Sequence, residues 1–372
     1  MKKNYFLIFL CCILCVAGIV TGTNLGERFR IYTLTQIIFV TLTFITQLRG
    51  SKVHYFTLNF VYFCFAIVMY LVFYNHNLVP YFWLFSISFV LGTQSLNEST
   101  MKSIGMIYGA SSIVILLATK YTGVFDGWDG NMVSMIAFYG FILFIVTQNS
   151  TRSTWDKIVL VMYSVIYFVL LLNEKLNSRS VIIASVALMF VVFSILPIER
   201  FLKYKTIKWV LLSPLLVALL VVLVKDTAIV QKMNMLSIAY TRKTIFNGRD
   251  TIWWNGIQTL LRSPIWGHGT FALANWHNSA IAALTGLGIV GYLVWINIFH
   301  KILKIASFWM SDPLVKGLAT AVVIVWIQQS VEMGIVGNNN VNVGLYCIMG
   351  LLLARINALE WEEYYNSERE EL

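Results

Sequence analysis

The chain alternates long apolar runs with short polar breaks. A helix needs about 20 apolar residues to cross a bilayer. Runs of about that length cover 4–22, 31–48, 54–75, 78–95, 103–119, 131–148, 157–173, 178–197, 208–224, 278–300, 315–333 and 341–356. The pattern predicts an all-α polytopic integral membrane protein with about twelve transmembrane helices, whose backbone groups must be satisfied internally. Two close pairs, 54–75 with 78–95 and 157–173 with 178–197, leave room for re-entrant or unequal segments. No internal repeat is visible. One long polar break, Lys225 to Asn278, interrupts the series. Inside it Ile252, Trp253, Ile257, Leu260 and Leu261 recur at helical spacing, which predicts an amphipathic helix lying in the membrane interface. Asp250 is the expected N-cap, and Ser263-Pro264 with the glycines that follow ends the helix. The chain thus divides into helices 1–9 (1–224), an extracytoplasmic loop with an interfacial helix (225–278), helices 10–12 (279–356) and an acidic tail (357–372).

Composition removes the soluble alternatives. Only 12% of residues are charged and 58% are hydrophobic, against about 25% charged in soluble domains. Met1-Lys2-Lys3 before an apolar run has the look of a secretory signal. No cleavage site leads into a soluble domain and further spans follow, so the segment is the first span. All five cysteines, Cys11, Cys12, Cys15, Cys64 and Cys347, fall in apolar stretches, so neither a disulfide nor a zinc site is expected; buried thiols packing as small hydrophobes are.

Charge sets the orientation. With the N-terminus inside, most of the 27 Lys and Arg residues lie in cytoplasmic segments, densest from Arg200 to Lys208. The short outer loops hold only Arg28, Arg30, Lys120, Lys175 and Arg179. The long loop therefore lies outside the cytoplasm, and both termini lie inside it. The net charge of +10 is spread along membrane edges rather than gathered in one aqueous patch, which argues against a nucleic-acid partner.

The unusual residues collect on the predicted outer face. Arg179, in Asn177-Ser178-Arg179-Ser180, stands in the first turn of its span, where the helix dipole disfavours a cation. A snorkelling arginine is the bland reading; an arginine placed to meet an anion is the functional one. Gly248-Arg249-Asp250 opens the interfacial helix, Arg242 lies just before it, and His268 sits in the Gly-rich turn. His277 enters the next span within Trp276-His277-Asn278. Glu332 lies at the outer end of its span beside Gln328 and Gln329, and an ionisable residue at that depth is a functional candidate. Asp126 and Asp129 share a short turn that fits a metal pair, but a bland turn accounts for them better. Arginine binds phosphate oxygens through a planar fork, and histidine moves a proton near neutral pH. Together they point to group transfer from a lipid-linked diphosphate to a hydroxyl. Anionic lipid binding alone uses the same arginines without needing His277.

The order of these motifs resembles the bacterial O-antigen polymerase and O-antigen ligase superfamily: Asn177-Ser178-Arg179-Ser180, Gly248-Arg249 with Trp253, Pro264 to Gly269, and His277-Asn278 followed by Gly286-Leu287-Gly288-Ile289-Val290-Gly291. The resemblance covers roughly residues 175–300. It implies a metal-independent glycosyltransferase of the bacterial cytoplasmic membrane that needs no cofactor. Undecaprenyl-diphosphate-linked oligosaccharide is then donor and acceptor, with a chain-length regulator and a flippase as candidate partners. Arg179 and Arg249 are implied to hold the diphosphate and His277 to act as general base; Arg242, His268, Asp250 and Glu332 are secondary candidates. The compact loop favours a repeat-unit polymerase over a ligase. A transporter or flippase of lipid-linked sugars is the alternative from another class; it should show broken helices with polar sites at mid-membrane.

Overall fold

The computed structural model describes residues 3–20, 30–48, 79–122, 125, 130–149, 154–172, 176, 178–192, 202–241, 244–269, 276–332 and 342–370. Thirteen helices and no strand occur among the described residues: α1 (Tyr5–Val20), α2 (Ile31–Leu48), α3 (Val79–Gly92), α4 (Glu98–Tyr121), α5 (Gly130–Asn149), α6 (Thr154–Leu171), α7 (Arg179–Val192), α8 (Tyr204–Val224), α9 (Ala228–Thr241), α10 (Arg249–Arg262), α11 (Ser279–Ala306), α12 (Pro313–Gln328) and α13 (Asn342–Glu370). Six of them, α4, α5, α6, α8, α11 and α13, are long and apolar enough to cross a membrane, and α1, α2, α7 and α12 are shorter apolar helices. The protein is a helical membrane protein. The expected span 54–75, Cys64, Arg242, Asp126 and Asp129 lie outside the described residues. The acidic tail does not leave the helix: α13 runs on to Glu370.

Packing separates centre from rim. Most of the apolar stretch of α5, α11 and α13 is buried inside the protein, whereas α6 and α8 turn most of theirs outward. The tightest pair is α4 with α5. A Cβ on Gly105 would fall on Thr147 Oγ1, and one on Gly140 on the Tyr108 carbonyl. Absent side chains let the two backbones touch, as in small-xxx-small pairs within membranes. In the middle, Trp295 of α11 lies against Trp326 of α12 with ring centroids 4.9 Å apart, and Phe299 is 4.5 Å from the same Trp326. Trp326 Nε1–H donates to the Leu211 carbonyl at 3.0 Å, tying α12 to α8. Cys11, Cys15 and Cys347 are buried free thiols and Cys12 is partly buried.

The segment read as one polar loop with a single helix contains two helices. The unexpected one, α9, packs substantially against no other described helix and leaves Ile229, Met235 and Leu236 exposed. The anticipated helix, α10, buries Trp253 and Gly256 against α8 and α11 and exposes Trp254 and Leu261. Its N-cap is Gly248 rather than Asp250. Gly248 takes a left-handed conformation (φ 81°) that turns the chain into the helix there, which leaves Asp250 in the first turn.

Candidate functional site

The site is assembled at the N-terminal ends of α7, α10 and α11 and the C-terminal end of α12. Its hub is Glu332. The Oε1 oxygen of Glu332 accepts from Ser180 Oγ at 3.1 Å and lies 3.5 Å from Arg249 Nη2. Its Oε2 lies 3.8 Å from His277 Nδ1. Ser180 is the second residue of α7, Arg249 the first of α10, and His277 directly precedes the α11 N-cap. Three helix starts therefore each bring a side chain to one carboxylate. Glu332 is 13% exposed at its side chain, while Arg249 and His277 are 26% and 29% exposed and so remain within reach of a ligand.

Local sequence explains why His277 sits there. Asn278 is fully buried, and its Nδ2 donates at 2.9 Å to the carbonyls of both Pro214 and Ser330. Its Oδ1 accepts from Ile281 N at 3.0 Å and caps α11. One side chain thus pins the α11 start to α8 and to the end of α12. On the other side, Trp253 Nε1–H donates to the Trp276 carbonyl at 2.7 Å. Between these anchors His277 is held at φ 47°, a conformation costing a non-glycine residue about 1–3 kcal/mol. Beneath the hub a chain of side chains closes the gaps. Ser279 Oγ–H donates to Gln329 Oε1 at 2.8 Å, and Gln329 Nε2 donates to Gln328 Oε1 at 2.9 Å. Gln328 Nε2 then donates to Ser180 Oγ at 3.3 Å.

The Gly-rich turn has a structural task. Helix α11 is broken at Gly288 (φ 66°), and residues 264–269 dock into the break. His268 N–H and Gly269 N–H donate to the carbonyls of Thr285 and Gly286 at 2.8 and 2.9 Å. In return, Ile289 N–H donates to the Pro264 carbonyl at 2.9 Å and Val290 N–H to the Ile265 carbonyl at 3.3 Å. A Cβ on Gly288 would fall on the Ile265 carbonyl, and one on Gly267 on Gly288 itself. The backbone groups freed by the break are thereby satisfied within the protein, the condition for irregular backbone at membrane depth.

No protein-family model matches the chain, and no curated protein matches it significantly. The geometry must therefore carry the reading. It brings together three of the anticipated residues: Arg249, His277 and Glu332. Arg179 opens α7 beside Ser180 and is exposed. Asp250 follows Arg249 in the first turn of α10. His268 stands apart, its Nε2 2.8 Å from the Thr259 carbonyl at the end of α10. Sequence reasoning missed the Asn278 clamp, the Ser279–Gln329–Gln328–Ser180 chain and the docking of the turn into α11. The signal for the last was present in three glycines within Gly286 to Gly291 and two within Gly267 to Gly269. The arginine and histidine gathered here are residue types able to bind an anion and to move a proton.

Proposed function

We propose that the protein is a membrane glycosyltransferase that polymerises undecaprenyl-diphosphate-linked oligosaccharide repeat units into a surface polysaccharide. The observation that carries this reading is the meeting of Arg249 and His277 at one mostly buried carboxylate, reached by side chains from three helix starts. Arg249, with Arg179 at the head of α7, holds the diphosphate of the donor. The oxygen of an acceptor sugar hydroxyl attacks the anomeric carbon of the donor while His277 takes the hydroxyl proton. The bond from that carbon to the diphosphate oxygen breaks, and the polyprenyl diphosphate leaves with its charge balanced by the arginines and helix ends. The exposed apolar residues of α9 and α10, with Ile265 and Trp266 of the turn, suit contact with the membrane interface in which a polyprenyl chain travels.

Sidedness follows from charge. Arg355 meets Asp312 at the α12 start and Leu96 just before α4, the end opposite the site, where Lys316 and Lys102 also stand in their helices; the Lys203–Lys208 run begins α8. The basic end faces the cytoplasm, so the site faces outward across the bacterial cytoplasmic membrane. The break in α11 favours a second reading, a transporter of lipid-linked sugars. It is the weaker one, because the backbone groups of the break are taken by residues 264–269 rather than offered to a substrate.

The test is a reconstituted assay of purified protein with undecaprenyl-diphosphate-linked repeat units, read as a ladder of glycan lengths. A ladder that disappears in His277→Ala is the expected result. A product seen only after adding a separate lipid or protein acceptor points to a ligase. Movement of lipid-linked sugar across the bilayer without chain growth makes the transporter the better reading.

A further inference from the structure

The transfer reading gives tasks to Arg249 and His277 and none to the carboxylate they share. Glu332 sits stretched between them. At 3.5 Å from Arg249 Nη2 and 3.8 Å from His277 Nδ1, neither contact reaches the charge-assisted hydrogen-bond length of about 2.7–2.9 Å. Among the described residues, its shortest contact is with the neutral Ser180 hydroxyl at 3.1 Å. The two carboxylate oxygens are divided, Oε1 toward the arginine and Oε2 toward the histidine. A largely desolvated carboxylate requires a positive neighbour, and here Arg249 supplies it only at the long distance of 3.5 Å.

We propose that Glu332 is a positioning residue that holds the phosphate place of Arg249 until the donor diphosphate binds and then transfers to His277. This rests on the glycosyl-transfer reading above. A diphosphate carries more charge than a carboxylate and fits the guanidinium fork bidentately, so it displaces Oε1 from Arg249. Ser180 keeps the carboxylate tethered, and it pivots instead of leaving. Oε2 then closes on Nδ1 of His277. A carboxylate accepting the Nδ1 proton fixes the ring tautomer and assigns proton uptake to Nε2, the arrangement used wherever an acid orients a catalytic imidazole. The base is thus set only after the donor has arrived, and acceptor attack waits for donor binding. Glu332 touches neither the reacting carbon nor the acceptor; it acts through His277.

The experiment is calorimetric titration of the purified full-length protein with inorganic diphosphate, paired with turnover of the lipid-linked repeat unit. Wild type binds diphosphate and Arg249→Ala does not. Glu332→Gln, which removes the competitor for Arg249, binds up to about fivefold tighter, the worth of a partly exposed ion pair. Its kcat falls while KM for the donor does not rise, a split that mere loss of packing does not give. Glu332→Asp keeps the charge, shortens the reach to His277, binds diphosphate no more weakly than wild type and turns over more slowly, which keeps the test open if the Gln variant misfolds. Unchanged or weaker diphosphate binding in Glu332→Gln overturns the exchange, and so does tighter binding with full kcat. If wild type shows no Arg249-dependent binding of diphosphate at all, the reading of the site itself falls, and this inference with it.

Discussion

Each end of the helical bundle holds an arginine paired with a carboxylate, and the two pairs differ in every respect that matters. At the end away from the site, Arg355 Nη2 meets Asp312 Oδ2 at 2.6 Å, its Nε meets the same oxygen at 3.2 Å, and its Nη1 reaches the Leu96 carbonyl at 3.3 Å. The Oδ1 of Asp312 meanwhile caps α12 by accepting from Leu314 N and Val315 N at 3.0 and 2.9 Å. That pair is short, its arginine is less exposed than Arg249 (9% against 26%), and it is spent on its own protein. At the site end, Arg249 and Glu332 stand 3.5 Å apart, share the carboxylate with His277, and adjoin a residue held at an unfavourable backbone angle. A closed ion pair with its remaining hydrogen-bonding capacity filled is architecture. A stretched and shared one keeps its charge for something that has yet to arrive.

Four substitutions break or sharpen that contrast. The largest expected effect is on chemistry at the site end: His277→Ala lowers glycan transfer by about 10²–10⁴-fold, the usual contribution of a general base, while thermal unfolding in detergent stays close to wild type. Next, at the other end, Asp312→Ala leaves Arg355 buried without its partner and costs about 3–5 kcal/mol, visible as a marked drop in melting temperature; wild-type stability in that variant contradicts the structural role. Asn278→Ala removes the cap on the Ile281 N–H and the ties to the Pro214 and Ser330 carbonyls, at about 1–3 kcal/mol in all. It is expected to lower both stability and activity, because it frees His277. The smallest effect on stability belongs to Glu332→Gln, at or below about 1 kcal/mol for a long, partly exposed pair. A loss as large as that from Asp312→Ala removes the distinction between the two ends.

The two ends also differ in how far the sequence disclosed them. Uninterrupted apolar runs are legible one residue at a time, and the structure has helices at all the expected spans that it describes. Helix α9 was hidden because Gln231, Lys232, Asn234 and Ser237 scatter polar groups around it and leave no clean apolar face. Arg249 and His277 stood out as charged or titratable residues at the edges of membrane segments. Glu332 was visible as an ionisable residue at depth, but its place between them was not. That contact joins positions far apart in sequence and exists only once α7, α10, α11 and α12 have packed. Asn278 was quoted as part of a motif, yet its clamp depends on the carbonyls of Pro214 and Ser330, and no local pattern announces those. Likewise Gly267 read as a turn former and Gly288 only as part of a motif. Only the folded chain shows that one fills the break made by the other.

The most direct measurement is an experimental structure of the protein with an undecaprenyl-diphosphate-linked sugar bound in lipid nanodiscs. The account predicts diphosphate density between Arg249 and the N-termini of α7, α10 and α11, with the sugar beside His277 and the Arg355–Asp312 pair undisturbed. Diphosphate bound elsewhere on the protein, with the Arg249–Glu332–His277 group unchanged from its empty arrangement, contradicts it.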